Sequence, residues 1–185
     1  MPAGQTPSPF RKLVSDRRSC RAYRPDPVPR EHVETMLEAA RLAPSACNCQ
    51  PWRFAVVTSA EKRRALVQKG LLPGLSMDWA GDAPVVIALG MKRSFLTHQA
   101  APALSGVDYP LLDLGIAGEH LVLRATELGL GTCWIGWIRP AGIRKIVGWG
   151  RDVKPVSLIT VGWPALLEPE PRPRLAMEEI ARWLE

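Results

Sequence analysis

The sequence predicts an α+β protein in which helices wrap a small sheet, and three observations support this fold class. Helix-like and strand-like segments alternate only loosely along the 185 residues. The segments typical of strands are too few for a large parallel sheet. Apolar residues make up 46% of the chain, which is enough for a packed core and too much for a disordered chain.

Helices are predicted from their start signals and from apolar residues at helical spacing. Ser8 and Pro9 provide a cap and a first position for the first helix. Residues 108–128 are apolar on more than one face, which is typical of a central, buried helix. The other predicted helices begin at Pro29 and Ser59 and cover residues 140–147 and 177–184.

Short β-rich runs at residues 54–57, 84–89 and 156–161 predict strands, and residues 133–138 predict a strand or an extended segment. Residues 92–110 have little periodicity and are interpreted as a loop or a substrate lid. The proline-rich residues 164–173 are too rigid for regular structure. We expect them to form an arm, and such arms on small domains often cross onto a second subunit.

The length favours a single domain over residues 10–185, preceded by a flexible leader at residues 1–9. The leader lacks the apolar region of a signal peptide, and the longest apolar stretch, residues 83–91, is half of a membrane span. We therefore expect a cytoplasmic protein with no membrane partner. The four cysteines do not follow a zinc spacing, so we expect no metal site.

The basic residues are uneven in kind, with 18 Arg and 6 Lys against 18 acidic residues, for a net charge of +6. Arginine binds phosphate through a planar fork, so the excess suggests either a nucleic acid or a small phosphorylated ligand. The arginines cluster beside polar turns instead of along one helical stripe, and aromatic residues rarely interleave with them. This pattern favours the small ligand.

The segment Arg17-Arg18-Ser19-Cys20-Arg21 places three guanidinium groups and a hydroxyl within five residues. A doubly charged phosphate needs several charge-assisted donors, and this segment supplies them. The alternative is a solvated basic surface. A second pair of guanidinium groups in Arg172-Pro173-Arg174 could return to the same phosphate or belong to a solubilising tail.

Two polar or glycine-rich segments could contact a ring. Residues 43–52 (APSACNCQPW) form an irregular turn whose amide side chains can bond the edge of a heteroaromatic ring. A capped connection with Trp52 in the core is the alternative. Residues 129–136 (GLGTCWIG) allow close approach of backbone to a ligand, but they lack the order of a dinucleotide fingerprint.

Taken together, in this order and spacing, the four segments resemble the FMN-dependent nitroreductase family from about Phe10 to the end of the chain. The stretches that carry the resemblance are RRSCRAY, APSACNCQPWRF, ELGLGTCWIG and VGWPALLEPEPRPR. The resemblance implies a mostly antiparallel sheet. It also implies a homodimer with FMN at the interface and a C-terminal arm that crosses to the partner subunit.

The resemblance also implies the cofactor contacts. Those to the FMN phosphate and ribityl chain are Arg17, Arg18, Ser19 and Arg21, with Arg172 and Arg174 also at the phosphate. Those along the flavin, usually from the other subunit, are Pro44, Ser45 and Asn48. Those near the isoalloxazine, where a backbone N–H faces the flavin N5, are Trp134, Ile135 and Gly136.

The implied activity is electron transfer from NADH or NADPH through FMN to a small electron-poor acceptor such as a nitroaromatic or a quinone. Hydride transfer needs no protein acid or base, so no catalytic residue is assigned. Trp79 and Trp137 could stack on an acceptor, although we expect both in the core. The alternatives are a same-fold enzyme of flavin destruction, dehalogenation or azoline oxidation and, much less favoured, a basic nucleic-acid-binding module.

Overall fold

The computed structural model describes residues 8–74, 77–92, 106–165 and 173–184. Most of the predicted leader, most of the predicted lid and much of the proline-rich arm, including Arg172, lie outside the described residues. The helices there are α1 (Pro9–Asp16), α2 (Arg30–Arg41), α3 (Ala60–Gly70), α4 (Trp79–Asp82), α5 (Tyr109–Glu127), α6 (Pro140–Val147) and α7 (Met177–Ile180). The strands are β1 (Trp52–Val57), β2 (Val85–Lys92), β3 (Gly131–Ile135) and β4 (Val153–Gly162).

The four strands form one sheet in the order β1-β2-β4-β3, and every neighbouring pair is antiparallel. The predicted α+β class and the antiparallel sheet are therefore confirmed. Strand β4 begins three residues earlier than predicted and includes Pro155. Pro155 pairs with Gly90 where the register shifts between Leu89 and Gly90, and an irregularity of this kind is where a strand accommodates proline.

The core lies on both faces of the sheet because successive residues of β2 point to opposite sides. Ile87 and Leu89 pack with α2 and α5, whereas Val86 and Ala88 pack with α3, α4 and α6. The sheet is thus the middle of three layers. Strand β2 is buried from Val85 to Met91, which explains its continuous apolar run.

Helix α5 was predicted to be buried, and the structure corrects this for one of its sides. Leu114, Ala117 and Leu121 are buried against α2 and the sheet, as predicted. On the other side Leu112 is 55% exposed and Ile116 is 39% exposed. Periodicity alone could not show that the described parts of the chain leave these residues uncovered.

The C-terminal helix is shorter than predicted, since α7 ends at Ile180 and not at Leu184. Its apolar side chains are exposed, and Trp183 beyond it reaches 88% exposure. In the described parts of the chain, no helix combines the length and the apolar character that crossing a membrane would require.

Candidate functional site

The arginine-rich segment leaves α1 and runs onto the outer edge of strand β3. Ser19 forms a parallel bridge with Thr132, and the backbone N–H of Cys20 donates to the Thr132 carbonyl at 2.8 Å. Cys20 packs directly on Gly131 of β3. A Cβ built on Gly131 would lie only 2.8 Å from the Cys20 Sγ, so a larger residue would not fit there. These contacts fix the backbone from which the arginine side chains extend.

The three guanidinium groups of the segment have different surroundings. Arg17 pairs with Glu119 of α5 at 3.5 Å between Nε and Oε1. Arg18 donates to the carbonyls of Ser15 and Arg17, and its buried Nε has no acceptor in the described parts of the chain. Arg21 is exposed, with its guanidinium carbon 6.0 Å from the centre of the Trp79 ring.

Tyr23 fastens the end of this segment to strand β4. Its hydroxyl donates to the Cys20 carbonyl at 2.7 Å and lies 2.7 Å from the Thr160 Oγ1. Burial raises the pKa of Tyr23 well above its usual range, so the ring stays neutral at physiological pH. Burial also raises the pKa of the Cys20 thiol, which disfavours the thiolate needed for nucleophilic chemistry.

The turn between α2 and β1 has an unusual backbone. Cys47, Asn48 and Gln50 all have positive φ, at 50°, 53° and 46°, although none of them is glycine. The backbone N–H of Gln50 donates to the Ser45 Oγ at 3.0 Å, and the Gln50 side chain donates to the Asn48 Oδ1 at 3.0 Å. Strained conformations of this kind concentrate at ligand sites and persist only where the surroundings hold them.

A carboxylate that the sequence analysis missed holds this turn. Asp113 of α5 is 4% exposed, and its Oδ1 accepts from the backbone N–H of Ala46 at 3.0 Å. Its Oδ2 is buried without a partner among the described residues. The sequence does indicate this role: Asp113, Ala117 and Leu121 are spaced four residues apart, as on one buried face of a helix. A charged residue on such a face needs a partner.

The third predicted segment occupies the last residues of β3. The Trp134 side chain packs directly on Gly118 of α5, where an added Cβ would lie 2.2 Å from the Trp134 Cη2. Ile135 is buried and Gly136 is exposed. The expectation that Trp137 packs in the core is wrong, since 62% of it is exposed.

Helix α5 thus contacts three of the predicted segments through Asp113, Gly118 and Glu119. Asp113 and Glu119 are six positions apart in the sequence, which corresponds to about 9 Å along a helix. The structure therefore brings the arginine segment, the strained turn and the end of β3 onto one helix. Pro44 and Arg174 are exposed, and the convergence of Arg172 and Arg174 on the same phosphate stays a prediction.

The accessible groups suit an anionic ligand that also carries a planar polar ring. Guanidinium groups and the Ser19 hydroxyl can hold an anion. The amide side chains of the turn and the exposed backbone at Gly136 can bond the edge of a ring. Among the described residues there is no cluster of three or more His, Cys, Asp or Glu groups suited to a metal ion.

Comparison with known proteins points to one family. Residues 14–163 match the model of the nitroreductase family. An NADH dehydrogenase of Thermus thermophilus is 31% identical over 199 residues, covering 90% of this chain and 92% of the relative. A Bacillus subtilis protein named FMN reductase (NAD(P)H) is 31% identical over 182 residues, covering 91% of this chain and 71% of its own length.

The solved structure of an FMN-dependent nitroreductase from Clostridium difficile is similar in fold. It superposes with a TM-score of 0.71 at 25% sequence identity, covering 90% of this chain and 92% of that one. The similarity therefore covers most of the chain.

Proposed function

The chain belongs to the nitroreductase family and is an NAD(P)H-linked flavin oxidoreductase, and we propose that its acceptor is a small electron-poor molecule, a nitroaromatic or a quinone. The observation that carries the assignment is the placement of three ligand-type segments on one helix, α5. FMN has both chemical features that this set of groups suits, a phosphate and a flat heteroaromatic ring.

The phosphate end of FMN fits the arginine segment. Among the described residues, the buried Arg18 Nε has no acceptor, and the exposed Arg21 has no ion pair. Arg17 is half-buried beside Glu119, which holds its guanidinium in place. We assign Arg17, Arg18, Ser19 and Arg21 to the phosphate and ribityl chain, with Arg174 as a further contributor.

The ring end of FMN fits the strained turn and the end of β3. We assign Pro44, Ser45 and Asn48 to one side of the ring, contributed by a second subunit. Trp134, Ile135 and Gly136 would border the ring, with an exposed backbone N–H available to the flavin. When bound, FMN would supply the redox chemistry between the nicotinamide donor and the acceptor.

The chain's own residues then act by binding and positioning. The arginine segment holds the anionic end, Asp113 keeps the turn in its strained form, and the packing of Trp134 on Gly118 fixes the end of β3. No side chain has to take up a proton for hydride to move. Positive charge near the ring would stabilise the reduced, anionic form.

We propose a homodimer in which the turn of one chain and the arginine segment of the other border the same flavin. The support is the exposed apolar side of α5, formed by Leu111, Leu112 and Ile116. These residues lie on the helix that backs the candidate site. The exposed apolar residues from Leu175 to Leu184 are suited to cross onto the second subunit.

A charge on the exposed side of α5 tests the dimer. The Ile116→Glu variant should elute and sediment as a monomer, because an unpaired carboxylate in an apolar interface costs several kcal/mol. The matched control, Ala141→Glu, puts the same charge on an exposed position of α6 and should leave a dimer. A wild-type protein that is monomeric at micromolar concentration contradicts the proposal.

The flavin spectrum tests the function. We expect purified protein to be yellow, with bands near about 370 and 450 nm, and to lose the second band when NADH or NADPH is added without oxygen. Adding a nitroaromatic or a quinone should restore it. Protein that neither carries nor takes up FMN contradicts the assignment, and a bound flavin that neither nucleotide reduces favours a same-fold enzyme with another reaction.

A further inference from the structure

One cleft of the structure is formed by residues that are not assigned to the flavin. It has a volume of about 550 Å³ and opens between residues 23–28, the start of α3, α4 and the start of β2. None of the residues assigned to FMN lines it. Its size is within the range of sites for small organic ligands.

Arg63 in the wall of this cleft has its Nη1 occupied, and the other edge of its guanidinium has no acceptor among the described residues. Its Nη1 donates to the backbone carbonyls of Thr58 and of Pro84, the latter at 2.9 Å. Its Nε is buried and has no acceptor among the described residues. The edge formed by Nε and Nη2 is the one through which arginine binds a carboxylate with two parallel hydrogen bonds.

The charges around Arg63 leave its positive charge under-compensated. Arg64 lines the same cleft and is exposed, and Asp82 is the one carboxylate among the lining residues. Burial, followed by the like charge of Arg64, lowers the pKa of Arg63, although a guanidinium stays protonated in proteins. With two positive charges and one negative charge, the cleft suits a ligand with a single negative charge.

Apolar side chains form part of the rest of the cleft, beside the polar side chains of Tyr23 and Thr58. Pro25, Pro27 and Pro84 line it together with Val28 and Val85. Prolines lose little conformational entropy when a ligand packs on them, since their φ is already fixed. An apolar or aromatic body would therefore be favoured beside the charged edge.

We propose that this cleft binds a small organic carboxylate with an aromatic or branched apolar body, held by the Nε and Nη2 edge of Arg63 and by Arg64. A carboxylate matches the net charge of the lining better than a doubly charged phosphate does. The carboxylate would give the Arg63 Nε the acceptor that it lacks. This site is independent of the flavin, so the proposal does not depend on the acceptor or on the dimer.

The probe for the test is 2-naphthoate, and its binding to the purified protein is measured by calorimetry. A parallel NMR titration follows the ¹⁵N resonance of the Arg63 Nε–H. We expect saturable binding with a Kd of about 1 mM or tighter and a shift of the Arg63 signal. The neutral 2-naphthamide should bind at least about tenfold more weakly. Inorganic phosphate should bind more weakly than naphthoate.

Two substitutions locate the probe, and a third is the control. Arg63→Lys keeps the charge but loses the fork, and should weaken binding about tenfold. Arg64→Gln touches an exposed residue with no described partner and should weaken binding about threefold. Lys69→Gln, at the far end of α3, removes the same charge and should have no effect.

The outcomes separate the proposal from its alternatives. Absence of saturable naphthoate binding overturns it, and so does equal binding of the neutral amide. Binding that persists unchanged in both arginine variants places the probe elsewhere, for example on the flavin, and also overturns it. A flavin-free protein that still binds naphthoate through Arg63 supports the cleft even if the proposed function fails.

Discussion

The double variant Arg17→Ala with Arg21→Ala is expected to lose FMN while keeping its fold. Arg17 is half-buried at the start of the segment and Arg21 is exposed four residues later. In the proposed site, each donates to the phosphate or the ribityl chain. Hydrogen bonds that involve a charged group contribute about 1.5–3 kcal/mol each, so we expect FMN affinity to fall at least about a hundredfold.

The loss is measured as the ratio of flavin to protein absorbance after purification, followed by titration with FMN. Circular dichroism reports the fold separately. The backbone contacts between Cys20 and Thr132 and the Tyr23 hydroxyl bonds involve neither arginine side chain, so the segment should stay in place. We expect the far-ultraviolet spectrum of the flavin-free wild type.

The control variant, Arg30→Ala with Arg41→Ala, removes the same two charges from the surface of α2. Among the residues that the structure describes, both arginines pair only with glutamates of their own helix, and exposed pairs of this kind contribute little. Flavin content should stay at the wild-type level. If the Arg17 and Arg21 variant retains its flavin, the phosphate lies elsewhere.

Replacing Gly118 by alanine is expected to give the largest loss of stability of any single methyl addition on α5. The new Cβ would lie 2.2 Å from Cη2 and 2.5 Å from Cζ2 of Trp134, and 3.2 Å from Cδ2 of Leu89. Overpacking costs about 1–3 kcal/mol or more, while the gain in helix propensity is only about 1 kcal/mol. We expect a net loss of about 2 kcal/mol in the free energy of unfolding.

Thermal unfolding of the flavin-free Gly118→Ala protein measures the loss of stability. A loss of about 2 kcal/mol corresponds to a drop in Tm of about 4–8 °C. A double-mutant cycle identifies the cause. Trp134→Phe removes the benzo ring that carries Cη2 and Cζ2, so it should recover part of the loss caused by Gly118→Ala. Strictly additive losses would mean that the steric contact with Trp134 is not responsible.

Local signals were sufficient for much of the fold. Ser8 and Ser59 accept from backbone N–H groups at the starts of α1 and α3, as their positions predict. The bounds of α6 match residues 140–147 because Pro140 begins the helix and Gly148, with φ 74°, ends it. Such features depend on a few neighbouring residues, so the sequence contains them directly.

Features that depend on distant contacts could not be predicted in this way. Asp113 meets Ala46 across 67 residues of chain, and no local pattern pairs them. The left-handed backbone at Cys47, Asn48 and Gln50 is imposed by its surroundings, because local propensity would have placed glycine there. The exposure of Trp137 and of one side of α5 likewise depends on which surfaces the rest of the chain leaves uncovered.

The bridge between Ser19 and Thr132 has a consequence for the solubility of the protein. Strand β3 ends one side of the sheet, and outer strands have unpaired backbone groups that can recruit strands of other molecules. The segment around Ser19 and Cys20 covers the start of that strand and occupies the Thr132 carbonyl. The segment whose Arg17, Arg18, Ser19 and Arg21 we assign to the phosphate and the ribityl chain therefore also covers this edge. Insertions or deletions in the segment should harm both flavin binding and solubility.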